Sequence, residues 1–240
     1  VGWARQPNGP SVQEYLEKAL LRITKEKISV IGAGRTDAGV HAAAQVANFK
    51  TKASLKIEEF KRAINGNLPA GIQIAKAEEV PIKFHARFSA KWREYVYQIV
   101  IMEEKPIFLD RYTYHLRKKV NVKKMREAIR FLVGKHDFSA FAAGEEDHSR
   151  VRRLIDLEIT QGKIALYPGV KERQAAALVF RVKANGFLRK MVRLMIGTLL
   201  EVGRGKISPD QVKQILKSKD NQLSGAAAPA RGLILNKIDY

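Results

Sequence analysis

Apolar residues recur along the chain in two rhythms. Val12, Leu16, Ala19/Leu20 and Ile23 fall on one helical face, and Ser11-Val12-Gln13-Glu14 ahead of them reads as a capping box. Ile57, Phe60 and Ile64 predict a second helix, stopped by Asn65-Gly66-Asn67-Leu68-Pro69. Val122, Met125, Ile129 and Leu132/Val133 predict a third. Phe187, Met191, Leu194/Met195, Thr198 and Val202 predict a long fourth helix ended by Gly203 and Gly205. Ser208-Pro209-Asp210-Gln211 opens a fifth, with Ser at the N-cap, Pro at the first turn and Gln at N3. Between these lie strand patterns at residues 28–33, 45–49, 91–101, 153–160, 177–184 and 233–238, with an extended stretch at 72–80. This order predicts an α+β fold with largely antiparallel sheets flanked by helices. The two halves share a similar element order, so two α+β lobes with a cleft between them are expected. The lobes would be residues 1–87 and 88–240, divided near the long strand that follows Pro81.

At 240 residues, 45% hydrophobic and 28% charged, the chain is long enough for a packed core and too apolar for a disordered segment. It contains no cysteine, which excludes disulfides, Cys-ligated zinc, iron–sulfur clusters and thiol nucleophiles. No apolar run approaches the ~20 residues of a membrane span. The best, residues 191–202, is interrupted by Arg193. Val1-Gly2-Trp3-Ala4-Arg5 has no apolar signal-peptide core, and because the sequence starts without Met an upstream segment is expected. The net charge of +20 points to a polyanionic partner. Lys and Arg are spread along the chain, with only short groups such as Arg117-Lys118-Lys119, which favours nucleic acid over a membrane surface. A ribosomal protein would carry the same charge.

The stretch Gly32-Ala33-Gly34-Arg35-Thr36-Asp37-Ala38-Gly39-Val40-His41 leaves a strand with three glycines, so its backbone can turn tightly. It is no dinucleotide loop, since Asp37 stands where the third glycine belongs. No Gly-Lys-Ser/Thr follows, so it is no P-loop. One reading is a glycine-rich turn in which Asp37 caps its own backbone. The other gives Arg35 a phosphate or base edge to hold while Asp37 performs chemistry. His41 lies four residues beyond Asp37, across Gly39, with no second histidine at metal-ligand spacing. His85, His115, His136 and His148 are scattered, so neither a metal site nor a zinc hydrolase is expected.

Gly34-Arg35-Thr36-Asp37-Ala38-Gly39-Val40-His41-Ala42 resembles the signature loop of the tRNA pseudouridine synthases of the TruA family. The resemblance runs in order along essentially the whole chain. Gly2-Trp3-Ala4-Arg5-Gln6 and Ser11-Val12-Gln13-Glu14 resemble its opening segment and first helix. Phe84-His85-Ala86-Arg87-Phe88-Ser89-Ala90, followed by Arg93-Glu94-Tyr95-Val96-Tyr97, resembles a second motif. His136-Asp137-Phe138-Ser139-Ala140-Phe141 is similar to another. Ala184-Asn185-Gly186-Phe187-Leu188, through Met191-Val192-Arg193 to Gly197, resembles a third motif, and Ala228-Pro229-Ala230 with Gly232-Leu233 the closing segment. Two departures stand out. Family members have a strand before the Gly2-Trp3 segment, which this sequence does not include, and they usually carry Tyr and Gln where Val1 and Ala4 stand.

The resemblance implies isomerisation of uridine to pseudouridine at positions 38, 39 and 40 in the anticodon arm of tRNA, with no cofactor. It assigns Asp37 as the catalytic carboxylate, acting at C1′ or C6 or on the sugar. Arg193 is its pairing cation, and Tyr95 stacks on the uracil and takes part in removing the C5 proton. Arg35 takes the space of the flipped base. Leu188 packs on the uracil, with Phe187 serving the core. Thr36, His41, Arg87 and Arg189 complete the RNA-contacting set, and Arg189 and Arg193 share a helix face at i, i+4. A cytoplasmic homodimer without membrane association is also implied. Two alternatives stay open: a non-catalytic RNA-binding protein on the same scaffold, and a synthase with shifted tRNA target sites.

Overall fold

Ser11 begins the first helix by accepting the Glu14 N–H on its hydroxyl, while the Glu14 carboxylate pairs forward with Lys18 at 2.7 Å. The computed structural model describes residues 2–144, 149–167 and 170–240, and the chain divides into two compact units. The first comprises Val1–Gly39, Gln45–Ala90 and Tyr240; the second comprises Val40–Ala44 and Lys91–Asp239.

In the first unit α1 (Val12–Thr24) and α2 (Ile57–Gly66) carry the helical patterns expected of them. The anticipated strands shrink to two-residue pieces, β1 (Ile31–Gly32) and β3 (Ala47–Asn48), paired antiparallel. The stretch at 72–80 joins no ladder. The core is built from Leu16, Ala19 and Leu20 of α1 with Ile28, Val30, Ile64 and Trp3. The Trp3 indole occupies the space that a Cβ on Gly32 would need, only 2.3 Å from its nearest ring atom. Glycine is therefore required there by packing, with ordinary backbone torsions.

The second unit is a seven-stranded sheet in the order β2 (His41–Ala42), β9 (Leu233–Asp239), β4 (Trp92–Ile101), β8 (Val170–Ala184), β7 (Val151–Tyr167) and β6 (Gly134–Asp137). A seventh strand, β5 (Tyr114–Leu116), pairs with Ile99–Ile101 of β4 beyond the point where β9 stops. Pairing is antiparallel except between β2 and β9 and between β4 and β5. On one face, alternate residues Tyr95, Tyr97 and Ile99 of β4 and Leu178, Phe180, Val182 and Ala184 of β8 are buried, as period-two packing demands. They join a core with α3 (Val122–Ile129), α4 (Met191–Gly203) and α5 (Pro209–Ser218). Both halves of the capping box at Ser208 and Gln211 form.

Three expectations need correction. The fourth helix starts at Met191, because Lys190 adopts φ 59° and breaks any helix running in from Phe187. Arg189 therefore lies outside the helix and shares no helical face with Arg193. The strands expected at 153–160 and 177–184 are only the open-end portions of a much longer antiparallel pair, β7 and β8. Finally, β2, β5 and β6 were not anticipated; they are two to four residues long and show no alternation of their own.

Candidate active site

The Asp37 loop leaves β1 at Gly32 and is held down on both sides. The Trp3 N–H donates to the Thr36 carbonyl at 3.1 Å, and Gln45 Nε2 donates to the Gly34 carbonyl at 2.9 Å. Gly2, at φ 61°, packs so closely that an added Cβ would lie 2.8 Å from the Thr36 carbonyl oxygen. Asp37 and Thr36 are half-buried and Arg35 is exposed. Gly39 turns the chain at φ 80°, a conformation natural to glycine. The following residues enter the second unit: His41 and Ala42 pair in parallel with Ile234 and Leu235, and the Ala43 N–H donates to the Leu235 carbonyl at 2.9 Å. His41 is thus a strand residue rather than part of the loop. Its Nε2–H donates to the Arg111 carbonyl at 2.8 Å, and its ring lies 4.8 Å from that of Tyr112. No local pattern links residue 41 to residue 112, so this clamp leaves no mark in the sequence.

Tyr95 sits in β4 opposite Val182 and Leu235, just past a register shift against β9, and only 7% of it is exposed. The ring of Phe187 meets it edge-on at 5.1 Å. Leu188 is buried in the large core, and Phe187 is half-buried and packed against it. Tyr97, two residues along the same face, is fully buried and donates its hydroxyl to the Pro229 carbonyl at 2.8 Å. Burial pushes its phenol well above the ordinary range, an effect reinforced by Tyr114 and partly opposed by the Arg193 and Arg231 guanidiniums.

Arg193 lies in the first turn of α4. Its Nε donates to the Ala228 carbonyl at 2.7 Å, and its own carbonyl accepts the Ala228 N–H at 2.9 Å. This reciprocal pair fixes the direction of the guanidinium, as a lone lysine ammonium could not. Segment 225–228 lies along the helix only because two glycines face each other. A Cβ on Gly197 would come within 1.9 Å of the Ala226 oxygen, and one on Gly225 within 2.8 Å of the Gly197 and Thr198 backbone. The Gly225 N–H also donates to Thr198 Oγ1 at 2.8 Å. A glycine inside an otherwise apolar helical run was the available signal for this contact. Arg189 is exposed, with its carbonyl accepting the Ala143 N–H, and Arg87 is exposed in the first unit.

Within the first unit, then, the structure gathers Arg35, Thr36 and Asp37 on one pinned loop. Within the second it joins Tyr95 to Phe187 across one ring contact and ties Arg193 to Ala228. Among the described residues no group of three or more His, Asp or Glu side chains could hold a metal ion, and no helix is long and apolar enough to cross a membrane. His148 lies outside the described residues.

A family model described as tRNA pseudouridine synthase matches residues 2–89 and 128–240. Over its whole length the chain is 42% identical to tRNA pseudouridine synthase A 2 of Clostridium perfringens, covering 93% of that protein. It is likewise 42% identical to tRNA pseudouridine synthase A of a Thermoanaerobacter species and 41% identical to that of Bacillus subtilis, each again covered to 93%.

Proposed function

From the chain's membership of the tRNA pseudouridine synthase family, we propose that it isomerises uridines 38, 39 and 40 in the anticodon stem-loop of tRNA, with Asp37 as the reacting carboxylate. The observation that carries this reading is the Asp37 loop. It presents a half-buried carboxylate on a backbone tied by Trp3 and Gln45, in a chain of net charge +20. Such a loop holds its nucleophile in place before substrate arrives, which removes an ordering cost from the reaction.

The reaction breaks the N–C glycosidic bond, turns the uracil and forms a C–C bond through C5, with no net redox change. Asp37 attacks C1′ or C6, or removes a proton from the sugar, and is regenerated at the end. Tyr95 supports the uracil and assists departure of the C5 proton. Arg193 serves as the counter-ion of the reacting carboxylate. A stacked uridine cannot present its glycosidic bond, so the target base is flipped out, and Arg35 fills the gap it leaves. Phosphate contacts by the dispersed Lys and Arg make tRNA binding steeply salt-dependent. Function as a cytoplasmic homodimer, one tRNA spanning both subunits, belongs to the same proposal.

Mapping of pseudouridine in tRNA after incubation with the enzyme tests the target sites directly. Product at 38–40 supports the reading, and product only at other uridines replaces it with a shifted specificity. Tight tRNA binding with no product at all would leave a non-catalytic RNA-binding protein.

A further inference from the structure

The turn leading to β4 holds its backbone still and turns an aromatic ring outward. Every backbone N–H from His85 to Ser89 has a partner. The His85 N–H donates to Ser89 Oγ at 3.1 Å, and the Ser89 N–H to the His85 carbonyl at 2.9 Å. The Ala86 N–H donates to Asn48 Oδ1 at 2.8 Å, and the Ala86 carbonyl accepts the Tyr240 hydroxyl at 2.8 Å. Nδ1 of His85 accepts the Arg87 and Phe88 N–H groups at 3.2 and 3.3 Å, so the neutral ring carries its proton on Nε2. Phe84 turns inward, its ring 5.0 Å from that of Tyr240. Phe88 does not: 75% of it is exposed.

A single exposed phenylalanine says little. This one is braced. The His85 imidazole lies 4.3 Å from it at 36°, and the Arg87 guanidinium carbon lies 5.4 Å from its ring centre. A rigid aromatic with a guanidinium beside it is how proteins bind unpaired nucleotides, the ring meeting the base and the cation the backbone. Because the turn is already ordered, little conformational freedom is lost when a base lands on it.

We propose that Phe88, braced by His85 and flanked by Arg87, is a stacking platform for an unpaired base of the RNA substrate. This rests on the reading of the chain as an enzyme acting on tRNA. Of the three residues only Arg87 was expected from sequence to meet RNA; the stacking role belongs to Phe88.

The test is filter binding of an unmodified tRNA transcript to the full chain over a salt series. Wild type is compared with Phe88→Ala, Phe88→Leu and Phe88→Trp, each checked for folding by circular dichroism. Loss of one stacked base weakens binding about 5- to 150-fold in Phe88→Ala, with an unchanged slope against log salt. Phe88→Leu, apolar but without a π face, is weakened similarly, whereas Phe88→Trp binds like wild type. The Phe88→Trp protein also shows fluorescence quenching by tRNA beyond that of wild type, which carries Trp3 and Trp92. Binding of Phe88→Ala at the wild-type level overturns the platform, and so does full rescue by Phe88→Leu, which would make the ring a plain apolar contact. A change of oligomeric state in Phe88→Ala on sedimentation, with tRNA affinity intact, reassigns the ring to a protein contact and also overturns it. Tritium release from tRNA labelled at uridine C5 is measured on the same preparations. If wild type releases tritium and Phe88→Ala binds normally, the platform alone is wrong; if wild type neither binds nor reacts, the functional reading fails with it.

Discussion

Replacing Gly197 by alanine sets two physical effects of opposite sign against each other. In an unobstructed helix interior the change stabilises by ~1 kcal/mol, since alanine is the better helix former. Here the new Cβ would lie 1.9 Å from the Ala226 carbonyl oxygen and 3.0 Å from its carbon. Ordinary contact requires segment 225–228 to move away from α4 by on the order of 1.5 Å. That displacement strains the Gly225–Thr198 bond and both links between Arg193 and Ala228, which are 2.7–2.9 Å long. Overpacking of this kind costs about 1–3 kcal/mol, and each weakened hydrogen bond about 1 kcal/mol more. Sterics therefore outweigh propensity, for a net destabilisation of roughly 3–5 kcal/mol. Urea denaturation of wild type and Gly197→Ala measures it, with tritium release reporting activity. Activity at a urea-free, fully folded temperature should still fall, because the Arg193 guanidinium loses its anchor. A variant as stable as wild type and equally active would refute the packing of the 225–228 segment on α4.

Arg193→Lys keeps the charge but cannot reproduce the Nε bond to Ala228; turnover should fall at least tenfold with a stability loss of about 1–3 kcal/mol, read from single-turnover rates and urea midpoints. Tyr95→Phe should lower the single-turnover rate by about 10²- to 10⁴-fold if its hydroxyl assists proton removal, while tRNA affinity stays near wild type. The Ser139 hydroxyl, with Lys219 beside it, holds the Asp137 carboxyl below its ordinary 3.8. A depressed folded value means that this contribution is complete above pH 3.8 and is lost as pH falls through the lower folded value. Asp137→Asn should therefore be less stable than wild type at pH 7, and the gap should close below pH 3.8; urea midpoints at both pH values check it.

What the sequence reveals about this fold depends on how local the cause is. The α5 start is written entirely in Ser208, Pro209 and Gln211, and it forms as read. The long strand β4 is legible because Tyr95, Tyr97 and Ile99 alternate within its ten residues. By contrast, β2 exists only because Leu235, almost two hundred residues away, supplies its partner. The helical spacing of Phe187 and Met191 misleads for a related reason. Phe187 is apolar because it packs on Tyr95, and Lys190 at φ 59° starts the helix afresh after it. Within the candidate site, Asp37 stood out by its glycine-rich loop, whereas the Ala228 partner of Arg193 and the Arg111–Tyr112 clamp on His41 are tertiary and carried no local mark.

The most direct measurement is tritium release from tRNA labelled at uridine C5, with wild type beside Asp37→Asn. Release by wild type alone, with the variant's tRNA affinity within about tenfold of wild type, is the predicted result, since the substitution removes the reacting carboxylate and no phosphate contact. Release by both proteins at similar rates would contradict the assignment of Asp37 as the reacting group.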